Sequence, residues 1–440
     1  MRVVQLTPGT GNFYCGACVR DNALAHELNA LGCETLTVPL YLPMVTDEPA
    51  DDGMQPILFG GLNVYLQEKI ALFRHTPRWL DKLFDNPKLL RKLSDRAGMT
   101  SAKELGEMTL SSLKGMDGKQ AKEIRHLVDW LKEYGHPDIV LLSNCLLSGL
   151  AKQIRAELGV PVLNTLQGED GYLDSLGDPY SDQCWSALKH VANDVDLFIA
   201  VSPYYGETMK SRMSLPDHKV VAVYNGIKLA GYGPSQRPDN PPVLGYFARL
   251  YPAKGLDQLV DTFIRLKERK SIPGLKLKAG GTATPSDEKF IREQKMKLDA
   301  AGFLGDVEFV ENLSHEDKIE FLKSLTVLSV PTAYAESFGL YVIEALASGV
   351  PVVQPAEGAF PDLIEETGGG LLFKPRDTED HADTLEKLLL DVTLAQEMGE
   401  RGRLEVNEKF TVRKMAEGMI EVFERVSAPG DHSIQAAAGV

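Results

Sequence analysis

The chain has 440 residues, 43% of them apolar and 25% charged, and a formal net charge of −15. That length exceeds one ordinary core and makes two domains the default. The acidic balance disfavours nucleic acid or an anionic membrane as the main partner, because both need a positive surface. A few local cations and backbone N–H groups can still hold a phosphate inside an acidic protein, and peripheral membrane contact stays open. No apolar run reaches the roughly 18 residues of a membrane span, so no transmembrane segment is expected. Residues 1–6 pass straight into Gly/Pro-rich loop with no signal-peptide core. Five cysteines, an odd number, point to a reducing compartment. The expected location is the cytoplasm.

In chain order, "RVVQL" reads as a strand, "ACVRDNALAHELNALG" as a helix ending on Gly32, and "ETLTVPL" as a strand again. Strand, helix, strand is the unit of a parallel sheet. Residues from about 68 to 135 carry charges at helical spacing with few β-branched runs, which predicts an inserted helical subdomain. The alternation resumes with "DIVLLS" (138–143), "LAKQIRAELG" (150–159), "VPVLNTL" (160–166), "DLFIAVS" (196–202) and "VVAVYN" (220–225). A Pro/Gly-rich linker is expected at 229–242. After it the pattern restarts with "PVLGYFARL", "GLDQLVDTFIRLKERK" and "LKLKAGG" and runs to "GLLFKP". A last amphipathic helix is expected at about 412–426, followed by a frayed tail. The predicted fold is α/β: two Rossmann-like, doubly wound parallel-sheet domains, residues 1–228 and 243–411, with a helical insertion in the first. Open sheets of this kind bind ligands beyond the carboxyl ends of their strands, and the cleft between two of them is the natural site.

Four stretches after strands carry chemistry. In "PTAYAESFGLYVIEALASGVPVV" (331–353) a strand ends in a loop holding Glu336, and a helix follows that ends at Gly349, with Ser337 as its expected N-cap. Amides near Gly339 and Leu340 would be open to a phosphate. Glu344, nearly two turns in, could accept bonds from a ribose diol. A lone glutamate pair is more often two exposed helix-end residues. In "GYFARLYPAKGLDQLV" (245–260), Arg249 and Lys254 follow a strand, and two cations there suit a diphosphate. In "TPGTGNFYCGACVRDN" (7–22), Gly9, Gly11 and Gly16 permit close backbone approach, while Cys15 and Cys18 form a C-x-x-C that lacks the partners of a zinc site and the surroundings of a thioredoxin. In "TLQGEDGYLDSL" (165–176), Gln167, Glu169 and Asp170 are expected to face the cleft.

Taken together, these motifs resemble the retaining glycosyltransferases of family four, glycosyl transferases group 1, over nearly the whole chain and most strongly from 243 to 375. The resemblance rests on "E-SFGL-YVIEALASGVPVV", with its two glutamates separated by seven residues, on "FARLYPAKGLDQLV", and on "LKLKAGG", "VPT", "AVYNGI" and "GGGLLFKP" in the expected order. It implies the GT-B fold, two Rossmann-like domains facing across a cleft, with the final helix crossing back to the first. It implies a nucleotide diphosphate sugar as donor, a sugar or other small-molecule acceptor, no cofactor and no bound metal. By the same resemblance Arg249 and Lys254 would hold the diphosphate, Glu336 would contact the donor sugar, and Glu344 the ribose. Ser337, Phe338 and the amides of Gly339 and Leu340 would line the phosphates. Gly9 and Gly11 match the glycine-rich loop of the first domain, and the expected catalytic set is Glu336, Arg249, Lys254 and Gln167.

Three departures stand out. Gln167 occupies the place of the family's usual histidine and cannot carry a proton. Lys228 follows "NGI" where aspartate is common, and "GNFYCGAC" replaces a plainer glycine pair. Three rivals to sugar transfer remain at this point: another enzyme on the same fold, such as a nucleotide-sugar epimerase or a phosphorylase; a nucleotide-sugar-binding protein weakened in catalysis; and, last, a thiol–disulfide protein built on Cys15 and Cys18.

Overall fold

A computed structural model describes residues 1–9, 16–41, 102–234 and 241–428. The described residues fall into two compact units. One draws on Met1–Tyr224 and Met415–Val440, the other is Asn225–Lys414.

The first unit runs β1 (Arg2–Thr7), α1 (Gly16–Ala30), β2 (Glu34–Pro39), α2 (Ala102–Leu113), α3 (Ala121–Trp130), β3 (Ile139–Leu142), α4 (Ala151–Leu158), β4 (Val162–Leu166), α5 (Asp170–Ser175), α6 (Tyr180–Val191), β5 (Leu197–Ala200), α7 (Pro203–Met213) and β6 (Val220–Ala222). Its six strands are parallel, in the order β2-β1-β3-β4-β5-β6. β3, β4 and β5 are buried at every position, as expected of strands covered by helices on both faces. Ser202 caps α7, accepting the Tyr205 N–H at 3.1 Å, with Pro203 in the first turn. Gly159 ends α4 in the left-handed region, at φ +69°. Of the expected helical insertion, residues 68–101 lie outside the described residues, and 102–135 contain α2 and α3.

The second unit repeats the plan: β7 (Val243–Phe247), α8 (Leu256–Arg269), β8 (Lys276–Gly281), α9 (Glu288–Ala300), β9 (Val307–Glu311), α10 (His315–Lys323), β10 (Val327–Leu328), α11 (Leu340–Ala347), β11 (Val352–Pro355), α12 (Phe360–Thr367), β12 (Gly370–Phe373), α13 (Thr378–Leu390) and α14 (Val392–Lys409). Its parallel strands lie in the order β12-β11-β10-β7-β8-β9. A last helix, α15 (Val412–Ser427), groups with the first unit from Met415 onward. No described helix is long and apolar enough to cross a membrane.

Beneath the second sheet's carboxyl edge lies His381, 1% exposed. Its Nδ1 sits 3.0 Å from Thr262 Oγ1 on α8, its Nε2 2.9 Å from Ser329 Oγ just past β10, and its ring stacks on Phe373 at 3.9 Å. Ser329 Oγ also donates to the Val353 carbonyl at 2.6 Å. Thr262 Oγ1 likewise donates to the Gln258 carbonyl at 2.9 Å, so a neutral imidazole gives its one N–H proton to one of the two hydroxyl oxygens. Burial pushes the imidazole pKa down to about 3.

Candidate functional site

In each sheet the strand order reverses once, and the carboxyl edge at such a reversal is where open α/β sheets bind ligands. In the second unit the reversal falls between β7 and β10. The loops after these two strands carry Arg249 and Lys254 on one side and Glu336 on the other, so residues about eighty positions apart in sequence are brought into contact.

The two loops touch through their backbones. Ala333 N–H donates to the Ala253 carbonyl at 2.9 Å. Gly255, at φ +73°, starts α8 against the carbonyl of Pro331, and a Cβ there would run into that backbone oxygen. Lys254 ends a short turn of helix, and its Nζ pairs with Glu336 Oε2. The pair is mostly covered, with side-chain exposures of 17% and 10%. The hydroxyls of Tyr341 and Tyr334 donate to the same Oε2 at 3.1 and 3.3 Å, and Lys254 Nζ lies 5.4 and 5.1 Å from their respective ring centres. Burial and the neighbouring Glu336 charge push both phenols far above their usual range, so they stay protonated and donate to the carboxylate.

Arg249 forms a two-pronged contact with Asp287, Nε to Oδ2 at 3.2 Å and a terminal nitrogen to Oδ1 at 3.1 Å. Its guanidinium lies 4.8 Å from the centre of the Tyr251 ring. Asp287 directly precedes α9 and takes the N–H and hydroxyl of Thr284 at 2.9 and 2.7 Å. Burial opposes its charge, but the bonds from Thr284 and Arg249 win and hold the carboxyl below its usual range.

Ser337 is not the N-cap of the following helix. α11 begins at Leu340 with Gly339 as N-cap, at φ +93° and with no side-chain cap. Phe338 packs inward, only 3% exposed, and the chain must turn sharply at Gly339, where a Cβ would press on the Phe360 ring at 2.9 Å. Among the described residues no side chain caps the start of α11; the Val342 N–H goes to the Gly339 carbonyl at 2.9 Å, and the amides of Leu340 and Tyr341 stand at the helix's positive end, where an anion is favoured. Glu344 is not an exposed helix residue either. Its side chain is 14% exposed, and Oε1 accepts from Lys318 Nζ at 2.7 Å and Tyr232 Oη at 3.3 Å.

In the first unit, Gly9 follows β1 at φ +76°; Gly11 and Cys15 lie outside the described residues. Gln167 follows β4 and is tied inward, its Nε2 donating to the Ser143 carbonyl at 2.6 Å and lying 3.4 Å from Asp21 Oδ1. Asp21 is buried against Arg20 at 2.8 Å. Glu169 does not face out of its loop as expected. It is 8% exposed and caged by the N–H groups of Cys145, Gln167 and Gly168 at 3.1, 2.8 and 2.9 Å, with the Tyr205 hydroxyl at 3.2 Å. Burial raises its pKa and those backbone bonds oppose the rise. A loop that must satisfy three inward N–H groups takes the nearest carboxylate to do so. Among the described residues no group of three or more His, Cys, Asp and Glu side chains could hold a metal ion.

Sequence reasoning missed Tyr334, Tyr341, Asp287, Lys318 and Tyr232. The two phenols flank Glu336, two residues before it and five after, within the stretch that drew attention, and were a usable signal. Asp287 and Lys318 come from separate elements, and nothing local ties them to Arg249 or Glu344.

Two doubly wound parallel sheets with ligand-competent carboxyl edges define a protein of the GT-B class. Comparison with known proteins agrees: a family model for glycosyl transferases group 1 matches residues 233–405, and one for glycosyltransferase family 4 matches residues 114–230. On these matches the chain is similar to the group 1 glycosyltransferases. It is 23% identical over 352 residues to a D-inositol 3-phosphate glycosyltransferase of Nocardioides sp., covering 75% of this chain and 74% of that one. Other relatives of that name are matched over only 45–51% of their length. In fold it is similar to sucrose-phosphate synthase from Thermosynechococcus elongatus (TM-score 0.68, 18% identity, 97% and 99% of the two chains). It is equally similar to Anabaena Alr3699/HepE solved in complex with UDP (TM-score 0.68, 15% identity, 97% and 100%).

Proposed function

We propose that this glycosyltransferase moves a sugar from a nucleotide diphosphate sugar to a small hydroxylated acceptor in the cytoplasm, with retention of configuration at the transferred carbon. The second unit is the donor domain and the first the acceptor domain. The observation that carries this reading is the convergence of Arg249, Lys254, Glu336 and the uncapped start of α11 on the β7–β10 reversal. In the reaction the bond from the sugar to the diphosphate breaks, and a bond from the sugar to the acceptor oxygen forms. The acceptor's proton leaves to the diphosphate or to water. Arg249, Lys254 and the α11 amides would stabilise the charge that grows on the diphosphate, an effect worth about 3–4 kcal/mol per donor group. Glu336 would accept from a hydroxyl of the donor sugar and Glu344 from the ribose. Gln167, held by Ser143 and Asp21, would supply polar positioning.

The UDP bound by the Anabaena neighbour makes UDP the first nucleotide to try. The test is thermal stabilisation by UDP, GDP, ADP and TDP, on wild type and Glu344→Ala. A nucleotide at 100 times its dissociation constant adds about 2.7 kcal/mol to stability. One of the four is expected to raise the melting temperature of wild type and to fail on the variant. Stabilisation of both alike, or of neither by any of the four, contradicts the donor-site reading.

A further inference from the structure

We infer that Tyr341, assisted by Tyr334, is a positioning residue for recognition of the donor sugar. The two phenols and Lys254 hold Glu336 by one carboxylate oxygen and thereby turn its other oxygen to a sugar hydroxyl. The inference rests on the donor-site reading above and adds to it a specific division of labour between the two oxygens of Glu336.

A carboxylate paired with one lysine can rotate and exchange its oxygens at little cost. At Glu336 three donors from three different places reach the same oxygen: Lys254 from the β7 loop, Tyr334 from the β10 loop and Tyr341 from the first turn of α11. None of these three reaches Oε1. The backbone is fixed as well, since Ala359 N–H donates to the Glu336 carbonyl at 2.9 Å and Gly358, at φ +67°, packs against the Glu336 peptide. Tyr341 is the firmer of the two clamps. It is 8% exposed, stands on a helix and packs its ring 6.4 Å from that of Phe360. Tyr334 is 37% exposed and rides on the loop.

The arrangement also has a consequence for Lys254. An arriving diphosphate draws the ammonium toward itself and weakens its hold on Glu336. The two phenols do not follow, so the carboxylate keeps its direction while the cation serves the phosphates. Ligand chemistry follows from this: a neutral sugar that donates a hydroxyl proton to Oε1 is favoured over one bearing an acidic group at that position, which would meet a fixed negative charge.

The experiment uses Tyr341→Phe, which removes one hydroxyl and keeps the ring. UDP affinity is read by calorimetry, and UDP release is read from UDP-glucose, UDP-galactose and UDP-N-acetylglucosamine. UDP affinity and melting temperature are expected to stay near wild type, with kcat/KM for the best sugar donor falling about tenfold or more, the scale of one lost bond to a charged group. In a Glu336→Gln background the same substitution is expected to change kcat/KM by less than about twofold. Tyr334→Phe should act in the same direction and less strongly. Turnover of Tyr341→Phe within about twofold of wild type overturns the inference, as does a loss of equal size with and without the Glu336 carboxylate. A wild type that binds none of UDP, GDP, ADP and TDP overturns the donor-site reading itself.

Discussion

Replacing Lys254 with alanine is expected to lower kcat/KM by about a hundredfold or more and to cost the second unit about 3 kcal/mol of stability. Both effects come from one ion pair. Lys254 and Glu336 are too well covered to behave as a surface pair. Removing the lysine leaves a largely buried carboxylate supported only by two phenols, and an unpaired buried charge is costly. The activity loss has a separate cause, the missing cation beside the diphosphate. A second variant pulls the two apart. Lys254→Met combined with Glu336→Gln keeps volume and removes both charges, so it should regain most of the stability while staying inactive. Steady-state kinetics and urea unfolding of wild type, the single and the double variant decide this. A stable, fully active Lys254→Ala protein contradicts the role given to the pair.

Acid is expected to weaken the second unit through His381 before most carboxylates titrate. In the unfolded chain this histidine takes up a proton near pH 6.5. In the folded chain it resists protonation until about pH 3, because the charged ring would sit unhydrated between Thr262, Ser329 and Phe373. Between those two values the unfolded state binds one proton more, so stability falls as pH falls. The contribution is fully present above about pH 6.5 and drains at roughly 1 kcal/mol per pH unit below it. Asp21 and Glu169 have raised pKa values and act in the opposite sense at lower pH, while Asp287 has a lowered one. The clean quantity is therefore the difference between wild type and His381→Gln over pH 5–7. Wild type should lose about 1 kcal/mol more than the variant between pH 6 and pH 5. Parallel pH profiles for the two proteins would remove His381 from the account.

Much of the fold was legible because its signals are local. Short apolar runs such as "DIVLLS" and "VPVLNTL" bounded by amphipathic stretches specify buried parallel strands and their covering helices, and β3 and β4 lie within those runs. The strand before the Glu336 loop proves short: β10 pairs as strand only at Val327 and Leu328, and the chain turns into the site loop after Ser329. The site was legible in part. Arg249, Lys254 and Glu336 follow strands β7 and β10, and a doubly wound sheet alone puts the ends of those strands at one crevice. That Lys254 and Glu336 pair directly, rather than waiting separately for phosphate and sugar, depends on the close approach allowed by Gly255 and could not be read from spacing. The start of α11 was misplaced because serine is the better N-cap by type, whereas the packing of Phe338 and the left-handed turn at Gly339 decide where the helix begins. Glu169 was misread for the same kind of reason, since the Cys145 N–H, 24 residues away, and two N–H groups of its own loop claimed its carboxylate.

The central claim, transfer of a sugar from a nucleotide diphosphate donor with retention, is tested most directly by following the anomeric proton. Proton NMR of wild type with the UDP-sugar it turns over fastest should show nucleotide release coupled to a first-formed product bearing the donor's own anomeric configuration. A product of inverted configuration, or sugar epimerised with the nucleotide still attached, would contradict it.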